Sequence, residues 1–317
     1  WEAVGEQDFS NRAEGIPILP VNLGNELRDA LQGLWKVSDA VIIQIVHFPF
    51  GFAFLEMMME KYPKTRVYTE CDDYVFETPS FSMAKAYTPG SLPEKIASDQ
   101  IAMTHGVIVS TNPLKEFYGH LNKDIHVVPN AIDFSEWDKA FMSRKKNPYS
   151  TIGWAGGASH DGDLRILLEP MKKVTRRHKA YFHVINGVPA FFKGVPRFKC
   201  FPDKWLPTLK FPMALAKEGF DVGVAPLVDN NFARAKSNLK FLEFSALGIP
   251  VVASRVEPYE RSIRHAESGF LASTGHEWEE ALGILLENPK ERRRIAANAR
   301  AFVREKFDLG KLTKRYL

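Results

Sequence analysis

VGVAPLVDNNFARAKSNLKFLEFSALGIPVVAS, running from Val222 to Ser254, is the stretch on which the reading of this chain turns. It begins with a buried apolar strand ending at Pro226-Leu227, crosses a polar loop, enters a helix, and closes on a second apolar strand, Val251 to Ala253. Strands that are apolar along their whole length belong in sheets covered on both faces. Parallel strands joined by helices gather their ligand loops at the strand C-terminal ends. The loop here ends in Lys236-Ser237-Asn238, where the helix begins. Free backbone N–H groups, the Ser237 hydroxyl and the amines of Lys236 and Lys240 therefore converge at one helix start, an arrangement suited to a diphosphate. The same residues also suit ordinary N-capping by Ser237 or Asn238 with solvated lysines. Glu243 follows on the same helix face, able to accept from ribose hydroxyls or to pair with Lys240.

Outward from this stretch the same rhythm repeats. Apolar runs AVIIQIV (Ala40–Val46), RVYTEC (Arg66–Cys71), GVIVST (Gly106–Thr111) and IHVVPN (Ile125–Asn130) precede TIGWAG (Thr151–Gly156), YFHVIN (Tyr181–Asn186), FKCFP (Phe198–Pro202) and GFLAS (Gly269–Ser273). Helical segments separate them, which predicts an α/β protein of two Rossmann-like halves. With 317 residues the chain exceeds the usual size of one domain. The polar, Pro-broken segment Phe134–Ser150 reads as the linker, giving domains 1–140 and 141–317.

A second glycine-bearing turn, Gly156-Gly157, follows the strand TIGWA and leads to a helix near Asp161. The glycines permit close approach of backbone to a phosphate, and Ser159 and His160 are placed to hydrogen-bond it; His160 is equally suited to start the helix without a ligand. In the first half, His47 and the pair Asp72-Asp73 lie at strand C-terminal ends. Asp72-Asp73 lacks a third carboxylate at suitable spacing, so no metal is expected, and a helix cap or an acceptor contact is the reading.

Composition bounds the function. No apolar run reaches the 18 residues of a membrane span, although contact with a membrane surface stays open. Cys71 and Cys200 form neither a disulfide framework nor a zinc pattern, which points to a reducing cytoplasm. Trp1 begins the sequence without a signal-peptide layout, so the N-terminus reads as trimmed. Divided near residue 145, the chain carries 13 Lys+Arg against 20 Asp+Glu before the cut and 29 against 18 after it. The basic second half suits a nucleotide diphosphate, whereas the acidic first half disfavours a long DNA footprint.

Six segments in order resemble the family 4 retaining glycosyltransferases of the GT-B fold, particularly compact bacterial and phage members. They are VVPNAIDFSEW (Val127–Trp137), IGWAGGASHDGDL (Ile152–Leu164), DVGVAPL (Asp221–Leu227), AKSNLKFLEFSALGIPVVAS (Ala235–Ser254), SGFLA (Ser268–Ala272) and EWEEAL (Glu277–Leu282). The resemblance implies two domains facing across a cleft, with the last helix, about 300–317, crossing back onto the N-terminal domain. It implies a nucleotide-diphosphate sugar as donor, no obligatory cofactor, and transfer with retention to an acceptor glycan, lipid-linked sugar, protein or modified nucleobase. Glu243 matches the second Glu of the family's EX7E helix, which binds the donor ribose, and the amides around Ser237, Asn238 and Leu239 match its diphosphate site. The first Glu of that motif falls at Ala235, and Ser159-His160-Asp161-Gly162 replaces the Arg/Lys pair that often follows the glycine turn. Lys236 and Lys240 are then the candidates to neutralise the leaving diphosphate, and His47 to contact the transferred sugar or acceptor. A DNA-modifying phage-type enzyme, a non-catalytic nucleotide-sugar-binding protein, and a GT-B epimerase or phosphorylase are the rival readings; the last would need an acid/base set or a pyridoxal lysine not evident here.

Overall fold

The computed structural model describes residues 21–78, 87–157, 160–185, 190–201 and 209–316, with side chains from 29 to 314 within them. The first half runs α1 (Val21–Val37), β1 (Ala40–Gln44), α2 (Pro49–Lys61), β2 (Arg66–Cys71), α3 (Leu92–Met103), β3 (Gly106–Val109), α4 (Asn112–Tyr118) and β4 (Ile125–Val127). All its strand pairings are parallel, in the order β1-β2-β3-β4. Local chemistry sets the helix starts: Ser91 and Thr111 accept from the amides of Glu94 and Leu114, each with a proline in the first turn where no donor is lost.

After α5 (Phe134–Met142) the second half continues with β5 (Thr151–Ala155), α6 (Asp161–Leu164), α7 (Leu168–Arg177), β6 (Tyr181–Ile185), β7 (Phe198–Phe201) and α8 (Phe211–Lys217). Then come β8 (Val222–Ala225), α9 (Asn231–Ala235), α10 (Leu239–Ala246), β9 (Val251–Ser254), α11 (Glu257–Glu260), β10 (Phe270–Ala272), α12 (Gly275–Glu287), α13 (Pro289–Lys306) and α14 (Leu309–Tyr316). The six strands are parallel, in the order β10-β9-β8-β5-β6-β7. Every residue of β5, β8, β9 and β10 is buried. One apolar cluster, with Phe220, Phe241 and Phe244, covers one face, and a second, with Trp154, Phe182 and Trp278, covers the other.

This order places a topological switch between β5 and β8. From β5 the chain moves outward to β6 and β7, and from β8 it moves the other way to β9 and β10, so the loops leaving the two central strands diverge and open a crevice at their C-terminal ends.

The structure corrects the expected linker. Residues 134–142 form α5, capped by Asp133 and burying Phe134, Trp137 and Ala140, which recur at helical spacing. These residues belong to the core of the second half. The segment after α5 is strapped down rather than loose: Arg144 donates to the carbonyls of Leu247, Gly248 and Phe220, and Asn147 to those of Glu218 and Gly219. At the end of the chain, Ile132 and the segment Phe307–Leu309 exchange backbone bonds of 2.8 and 2.9 Å, and Arg300 and Arg304 both bond Asp138 on α5. No described helix is long and apolar enough to cross a membrane.

Candidate functional site

The crevice is built from the ends of β5 and β8 and the start of α10. Gly156 follows β5, and a Cβ there would lie 2.6 Å from the Lys240 amine and 2.7 Å from the Trp154 ring. Only glycine lets the lysine come this close to the strand end. Lys240 donates to the Ala155 carbonyl at 2.7 Å and lies 4.9 Å from the Trp154 ring centre. Gly157 accepts from the His160 amide at 3.3 Å. Ser159 lies outside the described residues.

At the start of α10 the expected caps are engaged elsewhere. Asn238 occupies the N-cap position without a side-chain cap bond; its side-chain amide donates to the Ser262 hydroxyl at 2.7 Å instead. The Ser237 hydroxyl accepts from Asn130 at 2.7 Å. Among the described residues, the amides of Ser237, Asn238, Leu239 and Lys240 have no hydrogen-bond acceptor. An uncapped helix start with open N–H groups is suited to an anion. Leu239 itself is 39% exposed, so the entrance stays open to solvent.

Glu243 lies one turn further on and is half-buried. Burial pushes its carboxyl up to about 7, against the opposing effect of the Lys240 charge. Burial likewise pulls the Lys240 amine below its usual value. The anticipated surface ion pair between them is not among the salt bridges of the described residues, because Lys240 points to the end of β5. Glu243 thus retains a carboxyl with no protein hydrogen-bond partner among the described residues, adjoining the open amides.

His160 stands at the start of α6 with Nδ1 2.8 Å from Asp163 Oδ2. Burial lowers its pKa, the Asp163 bond opposes this, and the charges of Lys240 and Lys236 add to the lowering. Asp163 was not singled out by the sequence. It is buried, and its second oxygen accepts from the Val228 amide at 2.8 Å, joining the glycine turn to the loop after β8. The indole N–H of Trp154, beside both His160 and Lys240, is buried without a hydrogen-bond partner among the described residues.

The first half meets this site through α9 and the residue after it. Lys236 pairs with Asp73 at 3.0 Å, Thr111 donates to the Ala235 carbonyl at 2.8 Å, and Asn231 donates to Glu77 at 2.9 Å. Asp73 therefore does not cap the next helical turn, which starts after Tyr74 without a side-chain cap. Asp72 is held by its backbone, whose carbonyl accepts from Ser110, and burial followed by the Asp73 charge raises its carboxyl. His47 is exposed after β1, edge-on to the rings of Phe48 and Tyr87. No hydrogen bond or ion pair of the described residues joins it to the lysines. Asn130 and Arg261, which donates to the Lys236 carbonyl at 3.1 Å, complete the loop's support. Neither carries a local signal; the motif containing Asn130 was the only hint. Among the described residues no group of three or more His, Cys, Asp or Glu is placed to hold a metal.

Residues 166–317 match the model of a family described as glycosyl transferase-like. No curated protein matches the chain in sequence. Among solved structures it is similar to a point mutant of TarM from S. aureus, in complex with fondaparinux, alpha-GlcNAc-glycerol and UDP, at 15% identity and a TM-score of 0.64. That match covers 91% of this chain and 57% of TarM. Alr3699/HepE of Anabaena, in complex with UDP-glucose, is 13% identical with a TM-score of 0.66 over 93% of this chain and 82% of its own. Sucrose-phosphate synthase of Thermosynechococcus elongatus is 12% identical with a TM-score of 0.67, over 92% and 75%. These likenesses, with two parallel α/β sheets, give the chain a GT-B fold. The chain spans little more than half the length of TarM.

Proposed function

We propose, from a GT-B chain whose residues 166–317 are glycosyl transferase-like, that it moves a sugar from a nucleotide-diphosphate donor to an acceptor hydroxyl with retention of configuration and without an obligatory metal or cofactor. The observation that carries this reading is the uncapped start of α10, where four open amides, Lys240 and Glu243 meet at the β5/β8 switch. The diphosphate sits on the amides of Ser237, Asn238 and Leu239, and Glu243 takes the ribose. Gly156 and Gly157 let the backbone approach the donor, with His160 beside them. Lys240, with Lys236 once it exchanges Asp73 for phosphate, stabilises charge that grows on the leaving diphosphate. His47 contacts the transferred sugar or acceptor, and Asp72 and Asp73 lie on the acceptor side. The residues before α5 form the acceptor domain and those from α5 onward the donor domain, with α14 returning to the first. The cytoplasm is the proposed compartment, and glycan, lipid-linked sugar, protein and nucleobase are the acceptor classes to screen.

Thermal unfolding with UDP-, GDP-, ADP- and CDP-sugars tests the donor site: at 100 times its dissociation constant, the true donor stabilises by about 2.7 kcal/mol. Donor hydrolysis and transfer, with the anomer of the product assigned by NMR, test the chemistry. Stabilisation without transfer or slow hydrolysis would leave a nucleotide-sugar-binding protein, and no stabilisation by any member would end the donor reading.

A further inference from the structure

The donor reading offers the transferred sugar only His47 of the first half and assigns no group of the second half to its hydroxyls. Ala235 is unavailable for this, because it is buried among Cys71, Ile101 and Val109 of the first half and its carbonyl is held by Thr111. We infer that Asp163 is a positioning residue that presents His160 Nε2 to a hydroxyl of the transferred sugar; this deepens, and rests on, the donor reading.

Asp163 turns its two oxygens to two different partners, His160 Nδ1 and the Val228 amide, each at 2.8 Å. An ionised carboxylate only accepts, so the proton between it and the ring resides on Nδ1, and in the neutral ring Nε2 keeps its lone pair. Burial, with the charges of Lys240 and Lys236, favours the neutral ring, against the opposing effect of the Asp163 bond and charge. Nε2 has no hydrogen-bond partner among the described residues and is not among the buried orphaned atoms, and the side chain retains 17% exposure, so this nitrogen is free to meet a ligand group. His160 and Lys240 both rest on Trp154, at 5.8 and 4.9 Å, which sets the imidazole next to the amine assigned to the diphosphate.

An acceptor lone pair has nothing to offer a diphosphate, whose oxygens are themselves acceptors. Its complement is a hydroxyl, and the hydroxyl-bearing group attached to the diphosphate on the side away from the ribose is the sugar. The Val228 bond adds rigidity: one carboxylate fixes the ring and the loop after β8 together, so the lone pair keeps its aim.

Two measurements test this. In the free protein, imidazole 15N spectra should show His160 protonated on Nδ1, and Asp163→Asn should abolish that tautomer, since its NH2 can donate to Nδ1. Titration calorimetry then compares UDP, GDP, ADP and CDP with their glucose conjugates. For the pair that binds the native chain, His160→Ala should weaken the sugar conjugate by about tenfold and the bare diphosphate by less than about twofold. His160→Gln, whose amide oxygen reaches where Nε2 stood, should restore most of the loss. Asp163→Asn should cost about the same tenfold in the native background and little in the His160→Gln background. Equal losses for conjugate and diphosphate, or a native ring protonated on Nε2, overturn the inference while leaving the donor site standing. Absence of binding by every nucleotide overturns the donor reading, and this inference with it.

Discussion

The two sheets grow from the same alternation of strand and helix, yet they are finished differently. In the second half the central strands are buried at every position, between an apolar layer on each face. In the first half, edge strand β1 leaves alternate residues outside, with Ile42 61% exposed, and Phe50 beyond it is 73% exposed. The proposed anion site sits on the fully covered sheet, where strand ends are held from both sides and the switch in strand order parts the loops. The first half reaches that site through a small number of polar contacts, Lys236 to Asp73, Asn130 to Ser237 and Thr111 to Ala235, with the Ala235 methyl group as an apolar knob in its core. A contact of this kind can open and close while the crevice between β5 and β8 keeps its shape.

The largest effect should separate the sheets outright. A Cβ on Gly153 would lie 2.1 Å from the Phe220 ring, so Gly153→Val should cost about 3 kcal/mol or prevent folding, whereas Ile42→Thr on the open edge should stay within about 0.5 kcal/mol. Denaturant unfolding of the two variants decides it; similar losses would remove the contrast.

Within the donor half, Glu243→Ala should weaken donor binding by roughly 1.5 to 3 kcal/mol with the fold intact. Lys240→Ala should instead lower turnover by about a hundredfold with a smaller effect on donor affinity, because its charge matters most as the diphosphate leaves. Calorimetry and steady-state kinetics distinguish the two, and unchanged affinity in Glu243→Ala would reduce that carboxylate to a bystander.

Glu243 also carries a pH signature of intermediate size. Its folded pKa, pushed up to about 7, lies above the usual carboxylate value of 4.5, so the folded state binds more protons between these values. Its stabilising contribution is complete below pH 4.5 and is lost as the pH rises to about 7, by an amount on the order of 3 kcal/mol. Glu243→Gln should flatten this part of the stability curve; an unchanged slope would place the titration elsewhere.

The smallest effect belongs to the contact between halves. The Asp73 side chain is 41% exposed, so Asp73→Asn should change stability by less than about 1 kcal/mol while donor affinity rises slightly as Lys236 is released. A large loss of stability would mean that the halves depend on each other more than their polar contacts suggest.

Much of this was legible in the chain itself. The apolar runs became strands, the helix start at Lys236-Ser237-Asn238 became the uncapped start of α10, and Gly156 became the point where a lysine meets a strand end. Phe134–Ser150 misled because its charges and Pro148 mask Phe134, Trp137 and Ala140 recurring along one helix face. The Asp163 bond to Val228 spans 65 residues and the Lys236 pair with Asp73 spans 163, and no periodicity announces either.

By itself, then, the sequence determined the elements and marked where a candidate site would lie, because backbone propensity, apolar period and helix capping act over a few residues and leave their marks in order along the chain. The tertiary structure alone decided which strand lies beside which, hence that β5 and β8 part to form the crevice, that Asn238 turns to Ser262 and leaves the amides open, and that Asp163 joins His160 to a distant loop. These depend on burial and on pairing between residues far apart in the chain, where the low dielectric of the interior sets which polar groups must find each other.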